Sequence, residues 1–252
     1  MSMFRVISIC MVLFACCSCS GGSQQSGART GLYDKVLTYW DDIDTELLSE
    51  DAREQHIVDY LYLAGHLDRA ERDSMWHDFY KQIDGHPDKT VVDYLGEPDS
   101  PLYSPGLLEE YLTGFLKYTD DDIAAMRSGY LLENIRKNPV GSIISDLNVS
   151  VGSRAASLHR LISDAGQGCM IVFYDPDCSS CDAVFQQLNI QAPVGLRIIT
   201  ISVTGRAKVI NDSWMSALVV DEAEMDEKFY FPSLPSIYVV SENRIILQKN
   251  SY

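Results

Sequence analysis

The chain has 252 residues, 46% hydrophobic and 22% charged, a composition that excludes wholesale disorder and leaves room for one or two packed domains. Its 20 Lys and Arg against 36 Asp and Glu give a net charge of -16, which excludes a nucleic-acid backbone or an anionic membrane surface as a binding partner. The acidity is uneven: residues 30–145 hold 24 acidic and 10 basic side chains, residues 146–252 only 12 and 8, a first sign of two parts.

Four of the seven cysteines fall before residue 20. One cation, Arg5, precedes an apolar run from Val6 to Phe14, which reads as a signal peptide over 1–15, too short to span a bilayer. The run ends in Leu13-Phe14-Ala15-Cys16. A Leu three positions before a Cys, with a small residue between, resembles a bacterial lipobox. That resemblance implies cleavage before Cys16 and a diacylglycerol on its sulfur; Cys17 and Cys19 are rival sites that lack the Leu. Residues 16–31, rich in Gly, Ser and Gln, read as a flexible tether to the first domain.

From Leu32 to about residue 140 the apolar spacing is helical. Ile57, Leu61 and Ala64 form one stripe; Met75, Trp76, Phe79, Tyr80 and Ile83 form another. Leu107, Leu108, Tyr111, Leu112 and Phe115 follow the same spacing, as do Ile123, Met126 and Tyr130. Thr119, ahead of three aspartates, reads as an N-cap, and Asn138-Pro139 as a helix end. The prolines between Gly96 and Gly106 mark an ordered turn. A bundle of about five or six helices follows. The histidines at 56, 66, 77 and 86 lack the paired spacing of metal ligands, so no metal site is expected.

In the last part, Cys169-Met-Ile-Val-Phe-Tyr174 is a buried-strand pattern that runs into Asp175-Pro-Asp-Cys178-Ser-Ser-Cys181 and an amphipathic helix. A C-x-x-C at a strand-to-helix junction puts the first Cys against unpaired backbone N–H groups, which favour a thiolate. Cys178 is then the exposed nucleophile, and Cys181, one turn on, resolves the mixed disulfide. A zinc site would need a second ligand pair that the sequence lacks; a static structural disulfide is the stronger competing reading. Strand patterns follow at Leu196–Val203 and Ala217–Val220, an acidic helix at Asp221–Lys228, and a strand-turn-strand from Ile237 to Gln248.

This order resembles the thioredoxin fold. In that family a cis-Pro faces the C-x-x-C, and Pro235 matches it better than Pro232. The match makes Leu234 and Pro235 the expected substrate-binding residues. Residues 141–162 look like the strand extension of TlpA-type and peroxiredoxin-like relatives, but the peroxidase loop motif is absent. Tyr94-Leu-Gly-Glu-Pro-Asp-Ser-Pro-Leu102, Asn138-Pro-Val-Gly141 and Asp-Pro-Asp-Cys-x-x-Cys together resemble Bacteroidetes lipoproteins with an uncharacterised helical domain before a thioredoxin-like one. Two features depart from thioredoxins. Asp177 stands where Trp precedes the first Cys, and an adjacent carboxylate opposes thiolate formation. The sequence given stops at Tyr252, directly after the last strand, so the usual final helix is expected to be missing.

The sequence therefore predicts an α+β chain in two parts: a helical bundle over 32–140, then an α/β thioredoxin-like fold over 141–252 lacking the final helix. The expected function is that of a lipid-anchored, periplasm-facing thiol–disulfide oxidoreductase needing no cofactor. Its partners would be protein thiols and disulfides, an upstream redox partner and the membrane that holds its anchor. The competing reading is a non-catalytic envelope interaction module on a thioredoxin-like scaffold.

Overall fold

The computed structural model describes residues 24–81, 89–206, 208 and 210–251. The expected signal peptide, Cys16, Ile83 and His86 lie outside them. Helix α1 spans Gln24–Leu37 and takes in the later part of the segment read as a tether. Gln, Ala and Arg carry good helix propensity, and the helix continues to Val36, which is fully buried.

Among the described residues five further α-helices follow in the first part: α2 (Glu50–Ala64), α3 (Arg69–Tyr80), α4 (Lys89–Gly96), α5 (Pro105–Tyr118) and α6 (Asp122–Ile135). Their starts are written locally. Ser49 caps α2, and Asp68 with Glu71 closes a reciprocal capping box on α3. Ser104 caps α5, with Pro105 in the first turn. The stripes on α2, α3 and α5 converge into one aromatic core in which Tyr60, Trp76, Phe79, Tyr111 and Phe115 are almost wholly buried. Tyr80 lies over Gly114 and donates its hydroxyl hydrogen to the Tyr111 carbonyl at 2.6 Å; a Cβ at Gly114 would collide with that ring.

Helix α6 corrects two expectations. Its N-cap is Asp121, which accepts from the N–H groups of Ile123 and Ala124, while Thr119 ends α5. Ile123, Met126 and Tyr130 are exposed, at 59%, 69% and 71%. The buried face holds Ala124, Ser128, Leu132 and Asn134 instead. Both faces have helical spacing, and the one with small residues admits the close packing of α6 on α5.

The second part is built on a seven-stranded mixed sheet. A hairpin, β1 (Asn148–Val151) and β2 (Arg154–Ser157), leads into α7 (Leu158–Ala165). Then come β3 (Cys169–Tyr174), α8 (Ser179–Ile190), β4 (Arg197–Ser202), β5 (Met215–Val219), α9 (Glu222–Lys228), β6 (Ser236–Val240) and β7 (Ile246–Ser251). The strand order is β2-β1-β5-β4-β3-β6-β7, with β3, β4 and β5 parallel and the other pairs antiparallel. The pleat of β3 sends Cys169, Ile171 and Phe173 into the core on one face and Val172 and Tyr174 into the core on the other, beside Cys181 and Phe185 of α8.

Hydrogen bonds join the two parts. Asn138 sits in the left-handed region at φ 50° and is buried; its Nδ2 donates to the Lys228 carbonyl at 2.8 Å, and its Oδ1 accepts from Ser145 N–H at 2.7 Å. Lys137 donates to the Asp226 carbonyl at 2.7 Å, and Lys249 of β7 donates to the Lys137 carbonyl at 3.0 Å. The segment after Asn138 runs along β7, with Gly141 N–H donating to the Ile246 carbonyl at 2.8 Å.

Candidate functional site

Strand β3 ends at the mouth of the site. Asp175 turns the chain there: its carboxylate accepts from Asp177 N–H at 2.9 Å and its carbonyl from Cys178 N–H at 3.1 Å. Cys178 is thereby set as the N-cap of α8, with extended backbone at φ -85° and ψ 117°. Its sulfur takes the place of a capping oxygen and accepts from the N–H of Cys181 at 3.2 Å.

The two thiols of the C-x-x-C differ in environment. Cys178 is partly exposed; Cys181, on the inner face of α8, is fully buried against the sheet. Burial opposes ionisation of Cys178, but hydrogen bonds from Cys181 and Ser180, through side chain and backbone, outweigh it and hold the thiol below its ordinary value. Burial first, and then the bond to Cys178, push the Cys181 thiol up to about 12. Cys169, at the far end of β3 and on the opposite face, is pushed up to about 12 by burial alone. All three are free thiols here.

The loop before β6 closes over the pair. The Leu234–Pro235 peptide is cis. The Leu234 carbonyl lies 3.5 Å from the sulfur of Cys178 and 3.1 Å from the hydroxyl of Ser180, while Ser180 Oγ is 3.0 Å from that sulfur. Cys178, Cys181, Leu234 and Pro235, expected together from the sequence, are thus brought to one edge of the sheet.

Three residues that sequence reading missed complete this edge. Arg206 pairs with Asp177 at 2.6 Å, Lys208 pairs with Asp182 at 2.5 Å, and Ser180 bridges sulfur and carbonyl. The carboxylate beside Cys178 is therefore matched by a guanidinium, which offsets the opposition to ionisation expected of Asp177. Both cations lie on the loop after β4. That signal was available: parallel neighbouring strands deliver their C-terminal loops to the same edge. Val203 N–H donates to the Tyr174 carbonyl at 3.0 Å and fastens that loop to the end of β3.

Among the described residues, no group of three or more His, Cys, Asp and Glu side chains converges as a metal site would require, and no helix is long and apolar enough to cross a membrane.

No family model matches the chain, and no curated protein matches it. Among solved structures it is similar over its whole length to a thioredoxin-like protein from Bacteroides caccae. That likeness has a TM-score of 0.70 and 18% identity, and covers 100% of this chain and 95% of the other. A conserved protein of unknown function from Bacteroides fragilis matches 45% of this chain and 93% of its own, at 21% identity and a TM-score of 0.35. The first likeness extends to the fold as a whole, a helical part followed by a thioredoxin-like domain.

Proposed function

We propose that the protein is a thiol–disulfide oxidoreductase of the cell envelope that acts on protein disulfides through Cys178 and Cys181. The observation that supports this reading best is the contrast between the two sulfurs. One caps a helix, is open to solvent and is held toward its thiolate. The other is buried one turn away and held as a thiol. A nucleophile and a resolving thiol need that division of properties. The Cys178 thiolate attacks a substrate disulfide, forming a mixed disulfide and expelling one substrate thiolate, which takes up a proton. Cys181 then loses its proton and attacks the Cys178 sulfur, expelling the second substrate thiolate, which is protonated in turn. Two electrons pass to the substrate, and the enzyme pair closes as a disulfide that an upstream dithiol partner must reduce. Leu234 and Pro235 line the approach of the substrate chain.

The test is the reduction of a disulfide-bonded protein by the reduced full-length chain, followed by counting of the thiols released. Activity abolished by Cys178→Ser supports the reading; activity that survives it removes the reading.

The same proposal places the protein on lipid through Cys16, on the periplasmic side. Incorporation of labelled fatty acid, lost in Cys16→Ser, tests the anchor; digestion by protease added to intact cells would refute the periplasmic orientation. The second reading, an interaction module, draws on one observation: the exposed stripe of Ile123, Met126 and Tyr130 on α6. A native Cys178–Cys181 disulfide that resists dithiol reductant would favour it.

A further inference from the structure

Ser180 stands at the corner of a triangle whose other corners are the Cys178 sulfur and the Leu234 carbonyl oxygen, with sides of 3.0, 3.1 and 3.5 Å. A serine hydroxyl has one hydrogen to donate, so at any moment it can donate to only one of the two. While Cys178 is a neutral thiol, its S–H can donate to the Leu234 carbonyl and so can the Ser180 O–H; the carbonyl is occupied. When the sulfur ionises it has no hydrogen left, and a negative charge faces a carbonyl oxygen at 3.5 Å. The nearest donor able to turn toward that charge without moving a heavy atom is Ser180, and a hydrogen bond to an ion is stronger than one to a neutral carbonyl.

We propose that the Ser180 hydroxyl is a two-position donor, turning from the Leu234 carbonyl to the Cys178 sulfur as that sulfur ionises and thereby uncovering the carbonyl for a backbone N–H of the disulfide-bearing peptide. This rests on the reading of Cys178 as the nucleophile, and it makes Ser180 a positioning residue. The substrate class follows from the geometry. The uncovered acceptor is a main-chain carbonyl on the cysteine side of Pro235, and its partner is an N–H donor close to the attacked sulfur. A peptide disulfide supplies one; a small disulfide without amide groups does not. Proton and electron movements are those of the exchange itself, because Ser180 reorients its hydrogen and transfers none. Once the mixed disulfide forms, the sulfur is neutral again and the hydroxyl is free to return to the carbonyl.

The experiment uses the full-length reduced protein, native and with Ser180→Ala or Ser180→Thr. Alkylation of Cys178 is followed by mass spectrometry across pH, and the KM for a disulfide-bonded peptide is measured over the same range. In Ser180→Ala the alkylation rate at pH 6 should fall about tenfold and converge with the native rate in alkali, as a rise of about one pKa unit requires; Ser180→Thr should restore it. In the native protein KM for the peptide should fall as pH passes through the Cys178 titration; in Ser180→Ala the fall should be smaller, because only the Cys178 thiol hydrogen is then left to cover the carbonyl. An unaltered alkylation profile in Ser180→Ala, or a KM fall there as large as the native one, overturns the proposal. If the native protein reduces no peptide disulfide, the oxidoreductase reading falls, and the alkylation curves still decide whether Ser180 holds the sulfur.

Discussion

The guanidinium of Arg206 meets the carboxylate of Asp177 at 2.6 Å, one residue before the exposed thiol of the C-x-x-C. Removing the cation leaves an unmatched negative charge beside Cys178, and that charge raises the cost of forming a thiolate. Arg206→Gln should therefore slow alkylation of Cys178 at pH 6 by about threefold, a modest effect because both partners are exposed and screened. The double variant Asp177→Asn with Arg206→Gln should recover the native rate. Equal rates in the native protein and Arg206→Gln would show that the pair has no influence on the sulfur.

The two thiols of the site should be separable by reactivity. With Cys181 held up to about 12, the fraction ionised at pH 7 is about one in 100,000, so external reagents should modify Cys178 first. Cys181→Ser should accumulate reductant-sensitive complexes with partner proteins, because the mixed disulfide is left unresolved. Cys178→Ser should accumulate none. Mass spectrometry that finds Cys181 modified ahead of Cys178 would reverse the assignment.

Cys169 supplies a prediction about stability. Its thiol is pushed up to about 12 in the folded protein, whereas in the unfolded chain it titrates near 9. A raised folded pKa means that the unfolded state ionises first. The contribution to stability is therefore complete below pH 9 and is lost as pH climbs from 9 toward 12. Between pH 8 and 10.5 the loss amounts to about 2 kcal/mol. Cys169→Ala should flatten the stability–pH curve over that interval by this amount while retaining disulfide-reducing activity, whatever the fixed cost of the smaller side chain. Denaturant unfolding of the reduced protein at several pH values reads the slope directly.

The junction between the parts depends on Asn138. Its side chain satisfies a carbonyl at the end of α9 and an amide of the linker, from a backbone at φ 50°. Asn138→Ala removes both bonds and puts a Cβ without compensation into the left-handed region, and should cost about 2–4 kcal/mol. Asn138→Gly relieves the backbone part and should recover about 1 kcal/mol. Thermal unfolding measures both, and proteolysis within 136–146 should accelerate in the same order.

Much of this arrangement was legible in the chain because it is local. The run Cys169–Tyr174 followed by Asp-Pro-Asp-Cys fixes a strand, a turn and a helix start within a dozen residues, and short-range sterics and capping leave few alternatives. The cis Leu234–Pro235 peptide beside the pair was expected for a different reason, a resemblance to the thioredoxin pattern. What escaped depends on contacts distant in sequence. Arg206 and Asp177 are 29 residues apart, and only the parallel register of β3 and β4 makes them neighbours. The face of α6 was misread because Ile123, Met126 and Tyr130 and the smaller Ala124, Ser128 and Leu132 have equally helical spacing. Hydrophobicity favoured the first set, and the closeness of α5 selected the second.

Strand β6 begins beside Pro235 at the dithiol, and its partner β7 carries the lysine that grips the helical part. In register, Ser236 lies opposite Ser251 and Tyr238 opposite Lys249, whose ammonium holds the Lys137 carbonyl. From Pro235 to the level of Lys249 is three residues, about 10 Å at strand rise. The hairpin is in effect a short stiff crossbar, with the helical part bolted at one end and the substrate edge at the other. A displacement of the helices that keeps this grip has only that length of hydrogen-bonded strand over which to dissipate before it reaches the residues facing the reactive sulfur.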